Sequence, residues 1–474
     1  MKSITIVAVG LLFANAGAIA DPAGFDQYFT GQTLRLDYYH TGTAETELLS
    51  LDRMRIEGPW PGSRTQLLDP TNLGKYRFEV VDVATQQVLY SRGFASIFGE
   101  WETTGEAAQG IVRTLPEAIR FPEPRRPVQI RLYKRGADQL FREIWSVSVD
   151  PVSRFVERSA VAPYQVRSLI DNGEPAEKVD LVILGDGYTE AEMEKFSRDA
   201  EQAVAAIFSQ EPFASRQKDF NVWAVESPAV ESGISRPRSG TFRDSPLGAS
   251  YNSLDSERYV LSVDDRAWRD VAATAPYDVV LILVNSEKYG GGGIYNLYST
   301  AAVDSGFQPY LVVHEFGHHF AGLGDEYYTS DVAYEDFLGD RAEPWEPNIT
   351  ALANAENLKW GEMVEDGTPL PTPWKKQEFE EFSRSVQAQR RELRRAGAPE
   401  ATLEALFRQE REHLTAALGA EEYAGKVGAF EGASYEAQGL YRPSADCLMF
   451  TRDEVGFCPV CGQAIERIID LYSN

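Results

Sequence analysis

Sulfur and imidazole are scarce in this chain: its 474 residues hold three cysteines, five methionines and five histidines. Positive charge is short as well, with 46 basic against 72 acidic side chains and a net charge of −26. A surface of that sign repels nucleic acid and anionic lipid, so no nucleic-acid partner is expected. Beyond the first twenty residues no apolar run reaches the roughly 20 residues that span a bilayer, which excludes a later membrane span. G-x-S-x-G is absent and no cysteine has a histidine near it in sequence, so no serine or cysteine nucleophile presents itself. The "GDG" at 185–187 lacks the G-x-G-x-x-G spacing of a dinucleotide site. No D-x-D-x-D-G loop marks a calcium site.

What is present describes a folded protein. Hydrophobic residues at 43% and aromatics at 11% supply core for two or three domains. The opening "MKSITIVAVGLLFANAGAIA" has a basic start at Lys2, an apolar stretch, and Ala18-Ile19-Ala20 as a small-x-small cleavage site before Asp21. Residues 1–20 therefore read as an export signal, placing the chain in the periplasm or outside the cell. No cysteine stands at the cleavage point to carry a lipid.

Residues 25–150 read as a β-sandwich. "QTLRLDYYH", "YRFEVVDV", "VQIRLYKR" and "FREIWSVSV" alternate polar with apolar and are rich in β-branched and aromatic types, with Pro and Gly clustered between them. Nothing in this module looks catalytic, and His40 reads as a surface or satisfied histidine rather than a ligand. From residue 170 to 474 the pattern changes to buried strands, "VDLVILGDG" and "YDVVLILVNS", alternating with helical segments. This is an α/β or α+β domain. Residues 375–425 form two charged helical stretches around Gly397, Ala398 and Pro399, an inserted hairpin on which His413 is exposed.

Three of the five histidines fall within six positions of "VVHEFGHHFAGLGDEYY" (312–328). In H-E-x-x-H, His314 and His318 leave the same helix face and can grip one ion. Glu315 then lies beside the ion, able to take a proton from water that the metal acidifies and to pass it to a leaving amine. Gly322 and Gly324 stop the helix and can swing an acidic residue back. Position 324, where metzincins place a third histidine, is a glycine. Asp325 is the preferred third ligand, Glu326 the runner-up, and His319 points elsewhere on the helix.

Read with "GAFEGASYEAQGLYRPSADCLM" (428–449), this segment resembles the M64 family of metallopeptidases, typified by bacterial immunoglobulin A peptidase. The resemblance covers about residues 25–474 and implies a zincin-like domain holding one Zn²⁺ per chain and cutting a polypeptide substrate. It implies His314, His318 and an acidic residue within Asp325-Glu326 as ligands, Glu315 as base, and Met449 in a turn beneath the metal. Tyr441, slightly ahead of Tyr435, is the candidate to stabilise an oxyanion. Arg442 holds the turn or an acidic partner. Gly290 to Gly293 form either a mobile loop or an edge that pairs with extended peptide, with Tyr295 and Asn296 beside it.

Cys447, Cys458 and Cys461 permit a disulfide from Cys447 to one of the other two, leaving the odd thiol buried. "CPVC" as half of a zinc knuckle lacks a fourth ligand, since no histidine follows His413. The competing functions are a zinc amidohydrolase on cell-wall or small-molecule amides and a non-catalytic metal-containing binding protein. Oligomeric state is not set by any of these residues.

Overall fold

Period-two alternation folds the N-terminal module as two packed four-stranded sheets. The computed structural model describes residues 24–160, 163–329, 343–352, 356 and 358–473; the expected export signal at 1–20 lies outside them. One sheet runs in the order Arg113–Pro124, Phe29–Gly42, Glu47–Pro59 and Val156–Glu157. The other runs Val88–Phe94, Tyr76–Asp82, Val128–Arg135 and Phe141–Val149. Leu34, Leu36, Ile119 and Phe121 face Phe78, Val80, Ile130 and Leu132 across the interior, all buried. Each such side chain gains about 1.5–3 kcal/mol on burial. Phe121→Ala, fully buried at that seam, would cost about 3–5 kcal/mol.

A mixed six-stranded sheet carries the second domain. Its order is Gly291–Ile294, Tyr298–Ala302, Val279–Val284, Val179–Asp186, Phe220–Glu226 and Gln165–Ile170. The four inner strands are parallel and each edge strand is antiparallel to its neighbour. Val179–Asp186 and Val279–Val284 are buried along their whole length, as their uninterrupted apolar runs require. Helix Gln308–Ala321 packs on this sheet through Leu311, Val312, Phe316 and Phe320. Among the described residues no helix is long and apolar enough to cross a membrane.

The charged segment folds as helices Lys376–Arg395 and Glu400–Gly419. They are less solvated than their charge suggests, because Phe379, Val386, Leu403, Phe407 and Leu414 are buried. His413 stays exposed and stacks on Phe382, ring centroids 3.8 Å apart.

The sandwich is locked to the second domain by charge. Arg35, with no exposed surface, pairs with Asp37 and Glu57 of its own sheet and with Asp270 at 2.6 Å on helix Asp265–Ala272. Arg120 lies 3.4 Å over the Tyr277 ring and donates to the Tyr277 carbonyl. Asn296, expected beside the cleft, instead sits at a left-handed turn and donates to the Gly93 carbonyl of the sandwich.

Candidate metal centre

The ligand helix ends where the motif requires. Gly322 is left-handed (φ 62°), its N–H reaching His318 O and the Leu323 N–H reaching Gly317 O. This Schellman ending reverses the chain within three residues and returns Asp325 to the helix face. A side chain at Gly322 would also meet the Trp345 ring at 2.8 Å.

The resulting geometry is compact. His314 Nε2, His318 Nε2 and Asp325 Oδ1 lie 3.2 Å from one another along all three edges. Two ligands each about 2.0 Å from a tetrahedral ion stand about 3.3 Å apart. The far nitrogens fix the tautomers. His314 Nδ1 donates to the Leu448 carbonyl at 3.2 Å and His318 Nδ1 to the Leu323 carbonyl at 2.5 Å. Carbonyls only accept, so both Nε2 lone pairs point at a buried Asp325 oxygen that has no hydrogen-bond partner of its own. Three acceptors facing one point repel unless a cation sits between them, and the residues fit a zinc ion. Burial opposes a charge on His318, but Asp325 beside it outweighs that and raises its pKa to about 9.

Asp325 Oδ2 accepts from the Tyr435 hydroxyl, which lies 3.4 Å from the hydroxyl of Tyr327, and Arg258 donates to Tyr327 at 3.0 Å. Tyr435 stands at the tip of hairpin Phe430–Arg442, where Ser434 and Tyr435 are both left-handed at φ 48° and 67°. That costly turn is held by the Ser434 N–H on Asp325 O and the Tyr435 N–H on Tyr327 O. Tyr441 lies at the other end of the hairpin, registered against Glu431 and Thr350, and does not line the cleft. The tip of the hairpin is the part that hydrogen-bonds to Asp325 and Tyr327.

Glu315 is partly exposed and faces the cleft. Burial pushes its carboxyl above the ordinary range while the two imidazoles pull it back. His319 leaves the site altogether. Its Nδ1 donates to Ile294 O, its Nε2 accepts from the Val280 N–H, and burial pushes its pKa down to about 3. Glu326 also turns away, its Oε1 accepting from Asn348. Met449 lies under the ligand helix, where a Cβ at Gly317 would sit 3.1 Å from its sulfur. The Arg442 guanidinium is clamped between Trp374 and Phe450 and donates to the Gly432 and Ala445 carbonyls, holding the turn.

The glycine run is an edge strand, not a loop. A side chain at Gly293 would strike the Glu315 carbonyl at 2.2 Å and His318 Cβ at 2.8 Å, so glycine is what lets the ligand helix lie on the strand. Gly291 gives its N–H to Arg258 O and accepts from Val260. Gly293, two residues on, is partly exposed and lines the cleft with Tyr295. The cleft, about 390 Å³, has a wall that sequence reasoning missed: Lys75, Ser96, Glu100 and Arg135 come from the sandwich. Lys75 and Arg135 stand at strand ends, Ser96 caps the short helix Ile97–Trp101 and Glu100 lies on it, places that single-sequence patterns do not orient towards a site. The expected disulfide is absent, and all three thiols are free and buried.

A ligand helix carrying H-E-x-x-H against a mixed sheet, closed by a carboxylate after a glycine turn, defines a zincin-like metallopeptidase. The family model described as IgA Peptidase M64 matches residues 168–469, and that described as Peptidase M64 N-terminus matches residues 24–146. The chain belongs to the M64 peptidase family and is a zinc-dependent peptidase acting on polypeptide. A search of curated proteins finds no match.

Proposed function

We propose that this chain is an exported endopeptidase in which His314, His318 and Asp325 hold one catalytic zinc and Glu315 is the general base. The observation that carries the ligand set is the triangle of three donor atoms with 3.2 Å edges. Bound there, zinc would acidify a water and polarise the scissile carbonyl. Glu315 accepts the proton as the water oxygen bonds to the carbonyl carbon. It delivers that proton to the amide nitrogen as the C–N bond breaks, so no covalent enzyme intermediate forms.

Tyr435, rather than Tyr441, is the tyrosine assigned to the site, as a positioning residue that orients Asp325 through its hydrogen bond. An extended substrate adds antiparallel to the outer edge at Gly293, between the ligand helix and the sandwich wall. Export rests on the basic start, apolar stretch and Ala18-Ile19-Ala20 site of the first twenty residues. The immunoglobulin in the family's description is not carried over to this chain; the substrate class proposed is unstructured polypeptide.

The test compares metal content and casein hydrolysis in wild type and Glu315→Ala. Both should hold zinc and only wild type should cut. Cutting by both would remove Glu315 from the mechanism, and a wild type without transition metal would sink the whole proposal.

A further inference from the structure

The residue after the third ligand enters a second set of metal-ligating side chains on the far side of the loop. Glu326 has no exposed surface, and it meets Cys447, Cys458 and Cys461, all buried. One donor atom from each of these four residues lies within 4.8 Å of every other. Cys461 Sγ is 3.3 Å from Glu326 Oε1 and 3.8 Å from Cys447 Sγ. Sulfurs about 2.3 Å from a tetrahedral zinc stand about 3.8 Å apart, and a sulfur and a carboxylate oxygen about 3.5 Å apart. The geometry points to a second, structural zinc site with a Cys₃Glu ligand set, one that the sequence could not complete because its fourth ligand lies 121 residues before the first cysteine.

Several independent features point the same way. Glu326 Oε2 is buried with no hydrogen-bond partner, while Oε1 already accepts from Asn348 at 3.0 Å. An unpaired buried carboxylate oxygen costs heavily unless a cation meets it. Cys458 is the N-cap of helix Pro459–Tyr472 and Cys461 sits in its first turn, so one short segment presents both sulfurs to the cluster. The Cys458 N–H donates to Cys447 Sγ at 3.3 Å, a bond that suits a ligated sulfur. A disulfide would leave one of the three thiols and the Glu326 carboxyl without a ligand role. A tetrahedral ion would take one donor atom from each of the four residues.

Such a site braces the catalytic one without depending on how that site works. Zinc here ties three segments together: the loop of Asp325 through Glu326, the turn of Met449 through Cys447, and the C-terminal helix through Cys458 and Cys461. The backbone already joins the first two, since the Glu326 N–H donates to the Met449 carbonyl at 2.9 Å.

The experiment uses the full chain, stripped of metal under reducing conditions and reloaded with Co²⁺ alone. A histidine and carboxylate site cannot give sulfur-to-cobalt charge transfer, so an intense near-ultraviolet band reports the cysteine site only. The band is expected in wild type and in the His314→Ala/His318→Ala double variant. Cys461→Ser should weaken or lose it. Zinc content should be about two per wild-type chain and about one in the double variant, with three thiols titrating after denaturation in chelator. Cobalt spectra without a sulfur band, or one titratable thiol and one zinc in protein purified without reductant, would overturn the site in favour of no metal or a disulfide. Because the band is read in wild type, misfolding of a variant does not change the result, and loss of peptidase activity does not enter it.

Discussion

Two groups of histidine and carboxylate, one histidine with two glutamates and two histidines with one aspartate, differ in what their nitrogens face. In the sandwich, His40 is fully buried, with Nδ1 3.1 Å from Glu117 and Nε2 3.0 Å from Glu47, its ring stacked 3.7 Å from Phe98. Burial opposes its charge, but the two carboxylates outweigh that and raise its pKa to about 9. Both nitrogens donate, so the pocket is complete with a proton. In the ligand helix, each histidine gives one N–H to a carbonyl and turns a lone pair on Asp325. That pocket sets three donor atoms at the spacing of one shared cation. The carbonyls, more than the carboxylates, tell a metal centre from a charged core.

The comparison can be broken in order of expected effect. Glu315→Gln should keep metal content and lower casein cleavage by about 10³-fold, the middle of the range for a lost general base. Retention of most activity would move the proton to another group.

His40→Ala should cost about 3 kcal/mol of stability, because it leaves Glu117 and Glu47 without their shared cation, while metal content stays the same. Denaturant unfolding and metal analysis read the two separately. Metal loss at unchanged stability would erase the contrast between the clusters.

The same residue gives a pH signature. Its folded pKa is raised, so its contribution is fully present below about pH 6.5 and is lost as pH rises through about 9, up to about 3 kcal/mol in all. Wild type should therefore lose more stability than His40→Ala between those limits. Parallel curves would show that His40 is neutral in the folded protein.

Tyr435→Phe removes one hydrogen bond to Asp325 and should weaken metal affinity by about 10- to 100-fold, with kcat falling less once zinc is in excess. A fall in kcat that zinc does not restore would make Tyr435 a group acting on substrate instead.

Legibility divides by distance along the chain. The i, i+4 histidines and the glycine turn that returns Asp325 span twelve residues, so helix period and turn chemistry were enough to read them. The choice of Asp325 over Glu326 needed the direction of two adjacent side chains, and the Schellman turn sets that. The glycine run was ambiguous because its reason, the ligand helix lying on Gly293, is a contact between elements. Tyr435 and Tyr441 share one hairpin, and only its docking on Asp325 and Tyr327 tells which end arrives.

The sequence by itself determined the β-rich and α/β modules, the ligand helix, the glutamate beside its first histidine and the turn that closes the set. These follow from periods of 2 and 3.6 residues and from backbone preferences of glycine, which act within a few residues. Only the tertiary structure decided the sandwich wall of the cleft, the hydrogen bond from Tyr435 to Asp325, and the meeting of Glu326 with three cysteines. Those depend on which surfaces pack, and packing is settled by shape and burial summed over segments more than a hundred residues apart.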